Sequence, residues 1–373
     1  MDDELEVFRS SIREFIAGEF QPRVETWRTQ LHPERQDWLA AGDFGLLLVD
    51  VPAEYGGLGG GFEHFSVVLE ELADAGINFG VMVQSVVARY ILAYGTEAQK
   101  QRWLPRMASG ELIASIAMSE PGAGSDLQGI KTHAVRTAAG YVVNGSKTFV
   151  TNGFLANLVC VAVKTDPQAS GSKGISLLVV ETAQCAGVTS GEPLHKLGMH
   201  ELDTTELYFS DVTVPLDHLL GPVEGQGMSQ MMSQLPYERL AIAVQALATS
   251  ECALNLTARY VKDRVAFGKP LIEFQNTRFV LAECKASIAV GRAYVDQCIG
   301  SQLAGQLDPV DAAMAKYWLT ECQAKTMDAC LQLHGGYGYM TEYPIARMWA
   351  DCRMQRIGGG TTEIMKEVIG WSV

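Results

Sequence analysis

Apolar residues recur every three to four positions at the start of the chain: Phe8, Ile12 and Phe15, then Trp38, Ala41 and Gly45–Leu48. That spacing predicts amphipathic helices up to about residue 110, interrupted by the glycine-rich loop VPAEYGGLGGG at 51–61. The helical pattern resumes in FSVVLEELADAG and VMVQSVVARYILAYG. The period then changes. GYVVNGSKTFVTNG predicts strand, turn, strand, with Asn144-Gly145 as the hairpin turn. NLVCVAVKT, GISLLVVET and TELYFSDVTVP are further β-branched or alternating runs separated by turn residues. Helical spacing returns after Pro236, where Leu240, Val244, Leu247 and Leu254 form one stripe, and continues in NTRFVLAECKASIAVGRAYVDQC and VDAAMAKYWLTECQAKTMDACLQLHGG. The order helical, β, helical predicts an α+β chain of three domains: an N-terminal helical domain at 1–112, a central antiparallel β domain at 113–222 and a C-terminal helical bundle at 223–373. It is not the strand–helix alternation of a parallel sheet.

Composition narrows the partners. The 373 residues carry 29 Lys and Arg against 43 Asp and Glu, a net charge of −14, which argues against nucleic acid or an anionic membrane as partner. The eight cysteines make no C-x-x-C pair, so core thiols are expected rather than a metal or disulfide framework. The acidic, amphipathic N-terminus MDDELEVFRSSIREF is unlike a signal peptide, and no apolar run reaches the roughly 18 residues of a membrane span.

Most familiar catalytic motifs are missing. GGLGGGF (56–62) and GAGSDL (122–127) both lack the last glycine of G-x-G-x-x-G, and neither opens a βαβ unit. There is no P-loop, no H-E-x-x-H and no G-x-S-x-G. What stands out is AMSEPGAGSDLQGIKT (117–132) followed by NGSKTFVTNG (144–153), where small polar residues lie beside apolar strands and leave backbone N–H groups to cradle a polar ring or phosphate.

AMSEPGAGSD and K-x-F-V-T-N-G together resemble the flavin-binding β domain of the acyl-CoA dehydrogenase family. KDRVAFGKPLIEFQ (262–275), QLHGGYGYMTEYPI (332–345) and GGGTTEIMKE (358–367) are similar to that family's C-terminal signatures, and LPYERL and LHGGYGYM are most similar to its long-chain branch. The resemblance implies FAD-dependent α,β-dehydrogenation of an acyl-CoA thioester to the trans-2-enoyl-CoA. It also implies a homotetramer, passing electrons to an electron-transfer flavoprotein, in the cytoplasm or, for a processed eukaryotic chain, the mitochondrial matrix. Ser119 and the backbone at Met118 should meet the flavin pyrimidine edge, and Thr151 should bond near N5. Phe149 stands where many relatives have Trp and should cover a flavin face; Ser125 lies between cofactor and pantetheine path. Arg264, Phe267, Gln275, Gln332 and Gly336 match positions that hold the cofactor's ADP half across a subunit contact, and Thr361 and Glu363 open the last helix facing it. The stretch GINFGVMVQSVVARY (76–90) should line the acyl tail.

Many relatives carry the catalytic base in a Tyr-Glu-Gly-Thr string. The matching residues here are Gly358, Gly359, Gly360 and Thr361, and a glycine cannot accept a proton. In the long-chain and isovaleryl branches the base lies on a C-terminal-domain helix, at the position of Glu238 in LPYERLAIAVQ. Pro236, where some relatives have Asp near the CoA, marks the expected start of that helix. A first-turn Glu would also complement a helix dipole. Arg239 is expected to orient substrate or a local carboxylate network, and Gly360 to border the substrate. In the family the thioester oxygen is held by the main-chain N–H at the position of Gly359 and by a ribityl hydroxyl of FAD. The glycine run removes bulk that could otherwise exclude branched acyl groups. Glu120 and Asp126 are expected as turn residues, and Glu363 as a helix cap or a contact to the FAD adenosine end. Dehydrogenation of a carrier-protein-bound acyl or aminoacyl thioester, a flavin-dependent oxidase and a flavin-binding scaffold without turnover remain open.

Overall fold

The computed structural model describes residues 3–169 and 171–373. The chain divides into two compact units. One comprises the residues through Phe65, Phe79–His195 and His200–Gln234; the other comprises Ser66–Asn78, Lys196–Met199 and Leu235–Val373.

The first unit opens with helices α1 (Asp3–Phe15), α2 (Val24–Gln30) and α3 (Arg35–Phe44), joined by a π-helical turn at Ile16–Phe20. Ile12, Trp38 and Ala41 are fully buried, as their spacing predicts, whereas Phe8 and Phe15 are half-buried. Helix α3 stops at Phe44 rather than continuing to Leu48, because Gly45 takes a left-handed conformation (φ 84°) and closes the C-cap. Helix α4 (Phe62–Asp74) passes into the second unit after Phe65, and α5 (Val81–Tyr94) and α6 (Glu97–Ala108) complete the helical part. The buried Gln84 amide of α5 donates to the carbonyls of Met107 and Leu112 and accepts from the N–H of Ala114, fixing where the sheet begins.

The strands are β1 (Ala114–Ala117), β2 (His133–Arg136), β3 (Tyr141–Thr151), β4 (Leu158–Lys164), β5 (Ile175–Glu181), β6 (Val188–Ser190) and β7 (Thr204–Val214). They form one sheet in the order β1-β4-β2-β3-β7-β6, with β5 also on β4. Most pairs are antiparallel, as expected, but β1 runs parallel to β4 and β2 meets β4 in parallel at His133 and Lys164. Tyr141, Val143, Val161, Leu178, Phe209 and Val212 are part of a closed apolar core.

The expected Asn144-Gly145 hairpin is absent. β3 runs unbroken through it, and the register on β7 shifts between Val143 and Gly145. The Asn144 amide donates to the Asp211 carboxylate and accepts from its backbone N–H, so a side-chain pair on the neighbouring strand makes a bulge of what looks locally like a turn. A Cβ on Gly145 would fall 2.5 Å from the Thr132 hydroxyl, and its φ is 146°.

The second unit is helical: α7 (Gly227–Asp263), which the chain enters from the first unit, a short hairpin of β8 (Val265–Ala266) and β9 (Lys269–Pro270), then α8 (Gln275–Leu303), α9 (Pro309–His334), α10 (Pro344–Cys352) and α11 (Thr362–Gly370). By length and composition α7 could cross a bilayer. Its apolar side chains Leu240, Ala241, Val244 and Leu247 are instead fully buried, which accounts for its hydropathy.

Candidate active site

In the first unit the expected flavin-binding residues gather where β1 ends. Lys147 of β3 donates through Nζ to the Met118 carbonyl (2.9 Å), and the N–H of Thr148 donates to the Ser119 carbonyl (3.0 Å). Both carbonyls are thus turned inward. The N–H groups of Met118 and Ser119, and the hydroxyls of Ser119, Ser125 and Thr151, have no partner among the described residues. Ser125 is exposed on the loop that follows.

The register slips again between Lys147 and Val150, and Phe149 sits on that bulge at φ 56°, with its ring 70% exposed. A non-glycine residue in the left-handed region that also displays an aromatic ring to solvent combines two costs, and such strain concentrates at functional sites. The edge therefore offers free backbone donors, free hydroxyls and an uncovered aromatic face. These fit a planar heteroaromatic ring such as that of FAD.

Glu120 opens a turn, as expected, its backbone exchanging both hydrogen bonds with Ala123, but its side chain does more. It is buried and ion-paired to Lys147 (2.9 Å), and it also accepts from the N–H groups of Lys131 (2.6 Å) and Thr132 (3.0 Å). Burial pushes its carboxyl upward, but the bonds from Lys147, Lys131 and Thr132 outweigh that and hold it below the ordinary value. Desolvation pushes the fully buried Lys147 ammonium down to about 8 against the pull of Glu120. Asp126 does cap a short turn, accepting from the Gln128 N–H.

In the second unit Glu238 is not in a first turn. Helix α7 starts at Gly227 and carries Pro236 in its interior. The Met- and Gln-rich segment before Pro236 is itself helix-forming, and Met232, whose carbonyl the proline leaves without a helical donor, is solvent-facing at 48% exposure. The dipole explanation for Glu238 falls with this. Glu238 is half-buried and is the one carboxylate between Gly227 and Ser250.

One turn further on, Ile242 lies under the glycine run. A Cβ on Gly359 would stand 2.6 Å from Ile242 Cδ1 and 3.5 Å from Lys316 Cε. Gly359 (φ 66°) and Gly360 (φ 95°) are both left-handed, and the N–H of Gly359 has no acceptor among the described residues. The space a side chain would take is therefore occupied by Ile242 at Gly359, by Met354 at Gly358 and by Met365 at Gly360.

Lys316 of α9, fully buried, donates to the Gly360 carbonyl (2.6 Å). Arg239 is 6% exposed, and its enclosed Nε has no hydrogen-bond partner. Among the described residues no carboxylate is hydrogen-bonded to it; desolvation lowers its guanidinium from the ordinary value and Glu238 is the charge that offsets this. Sequence reasoning missed Ile242, Lys316 and Lys147. The available signal was one lysine in each of two otherwise core-facing runs, AAMAKYWL and SKTFV.

The last turn before α11 is fixed from both sides. Thr361 caps the helix by accepting from the Ile364 N–H, and Glu321 holds both Arg356 (2.8 Å) and the Thr362 hydroxyl (3.2 Å). The carboxylate of Glu363, fully exposed, lies below its ordinary value through its own N–H and the Thr361 side chain, which is the behaviour of a cap.

The remaining expected residues form a separate cluster. Arg264 lies over the Tyr337 ring at 5.4 Å, beside the Gly335–Tyr339 turn that carries Gly336. Gln332 accepts the Gly335 N–H at the end of α9. Phe267 is at the β8–β9 tip with φ 53° and 96% exposure, and Gln275 is the exposed first residue of α8. A Cβ on Gly336 would meet nothing within the chain, so no internal packing requires a glycine there.

Comparison with known proteins shows the family. Family models for the acyl-CoA dehydrogenase N-terminal, middle and C-terminal domains match residues 2–111, 115–212 and 225–373. The chain is 44% identical over 370 residues to the mitochondrial long-chain specific acyl-CoA dehydrogenase of Rattus norvegicus, covering 98% of this chain and 85% of that protein. It superposes on the crystal structure of an acyl-CoA dehydrogenase from Geobacillus kaustophilus with a TM-score of 0.97 and 45% identity, over 100% of this chain and 98% of that one. A glutaryl-CoA dehydrogenase from Mycobacterium smegmatis, solved in complex with FADH2, superposes at 0.92 with 27% identity, over 100% of this chain and 95% of that one. On this match over nearly its whole length, the chain belongs to the acyl-CoA dehydrogenase family.

Proposed function

We propose that the protein is an FAD-dependent acyl-CoA dehydrogenase that removes the α-proton and β-hydride of an acyl-CoA to give the trans-2-enoyl-CoA, with Glu238 as base. The observation that carries the assignment is that Gly359 has no side chain and a β-carbon there would crowd Ile242, while Glu238 is the lone carboxylate on the adjoining stretch of α7.

FAD, when bound, supplies the acceptor for the β-hydride. Met118, Ser119, Ser125, Phe149 and Thr151 would hold its ring, and Arg264, Phe267, Gln275, Gln332, Gly336, Thr361 and Glu363 would hold its remaining parts. The N–H of Gly359 donates to the thioester oxygen, where charge develops as the α-proton leaves; a donor fixed in advance there is the largest electrostatic contribution available. Glu238 takes the α-proton. Its half-buried setting becomes drier when an acyl chain covers it, which raises a carboxyl toward the range suited to a base. Arg239 stays charged beside it and, with Gly360, borders the substrate.

Electrons would pass to an electron-transfer flavoprotein. A homotetramer is supported by apolar groups that one chain leaves uncovered: Phe267 at the hairpin tip, and Phe279 and Val290 on α8. Location follows the relatives and is the cytoplasm, or the mitochondrial matrix for a processed eukaryotic chain. Anaerobic bleaching of the bound flavin by a series of acyl-CoAs, set against acyl-carrier-protein thioesters, tests the reading. Bleaching by CoA thioesters is expected, and bleaching by carrier thioesters alone would transfer the assignment to carrier-bound substrates.

A further inference from the structure

Lys316 is fully buried, yet among the described residues no carboxylate pairs with it. Its one hydrogen bond goes to the Gly360 carbonyl, and the one charge acting on it is Arg239, of the same sign. Arg239, 6% exposed, has an enclosed Nε without a hydrogen-bond partner among the described residues, and Glu238 is the charge that supports it. Two buried positive charges set against the single carboxylate of Glu238 are costly, and an apolar side chain would fill the volume of Lys316 without that cost. The arrangement becomes more favourable when a further negative charge arrives. Lys316 lies beside the glycine turn that carries the free Gly359 N–H: its Cε is 3.5 Å from the Gly359 Cβ position, and its Nζ holds the Gly360 carbonyl.

We propose that Lys316 is a positioning residue of the oxyanion site. It anchors the Gly358–Gly360 turn through the Gly360 carbonyl and, with Arg239, places buried positive charge beside the turn that carries the Gly359 N–H. The charge costs stability in the resting protein and is compensated when the thioester oxygen becomes an enolate, so it favours the reacting state over the ground state. The inference rests on the reading of Gly359 as oxyanion donor. No proton moves to or from Lys316: the α-proton passes to Glu238, and the electron pair it leaves behind is delocalised onto the thioester oxygen.

The test uses the FAD-loaded enzyme and 3-thiaoctanoyl-CoA, a thioester that loses its α-proton but is not oxidised. The long-wavelength charge-transfer absorption of the bound enolate is titrated against pH. Wild type should form the band. Lys316→Met should retain FAD yet show the midpoint raised by about one pH unit or more, about tenfold less enolate at a given pH. If Lys316→Met does not accumulate, Lys316→Gln keeps a donor for Gly360 and removes only the charge; it should shift the midpoint in the same direction. Wild-type titration in either variant overturns the role of Lys316 and leaves the Gly359 reading standing. Absence of the band in wild type overturns both.

Discussion

Ile242 Cδ1 stands 2.6 Å from where a Cβ on Gly359 would be, so the helix that carries Glu238 also fills the place of a side chain at the glycine turn. One face of α7 thus does two things a turn apart. It supplies a carboxylate at Glu238 and blocks one at Gly359.

Gly359→Glu should consequently destabilise rather than restore an acid. The left-handed backbone costs a β-carbon about 1–2 kcal/mol, and overpacking Ile242 adds about 1–3 kcal/mol. Denaturant unfolding should show a loss of that order, and Ile242→Ala in the same chain should recover part of it. Gly359→Glu with wild-type stability would mean the turn relaxes freely.

Lys147 and Glu120 form a buried pair that also pins the Met118 carbonyl. Lys147→Met strands the carboxylate and should cost about 3–5 kcal/mol in unfolding free energy. The depressed carboxyl of Glu120 contributes stability that is present above its unfolded value and is lost as pH falls through the lower folded value. The Lys147→Met protein should therefore lose less stability on acidification than wild type, measured by thermal melts down the acid range.

Phe149 is exposed and left-handed, so its ring adds little to the fold. Phe149→Gly should leave apo-protein stability unchanged or raise it by about 1 kcal/mol as the backbone strain is relieved. Stabilisation by added FAD should fall in the same variant. A thermal shift with FAD equal to wild type would remove Phe149 from the cofactor site.

Lys316 is pushed down to about 8, first by burial and then by Arg239, from 10.5. Its folded value is depressed, so its contribution to stability is fully present above 10.5 and is lost as pH falls through about 8. Wild type should gain on Lys316→Met by up to about 1.4 kcal/mol per pH unit across that window. A difference independent of pH would show that Lys316 is not titrating where its burial places it.

The sequence made the order of elements and the glycine and serine motifs readable, because periodicity and small-residue clusters are local signals. It misled where a distant residue decides the local conformation. Asn144-Gly145 reads as a turn until Asp211 is placed across from it. Pro236 reads as a helix start, although a solvent-facing break at Met232 lets α7 run through it. Glu238 and Gly359 were both legible as candidates from the missing carboxylate. Ile242, which occupies the vacated space, and Lys316, which holds the turn, were not, because their roles depend on which core-facing positions meet across the helices.

The central claim is that Glu238 is the base. The direct measurement is anaerobic mixing of FAD-loaded Glu238→Gln with acyl-CoA, following the flavin absorption. A positioned base is worth about 100- to 10,000-fold, so bleaching should slow at least that much while the variant keeps its full complement of FAD and still binds acyl-CoA. Bleaching at a near-normal rate would contradict the assignment and place the base elsewhere.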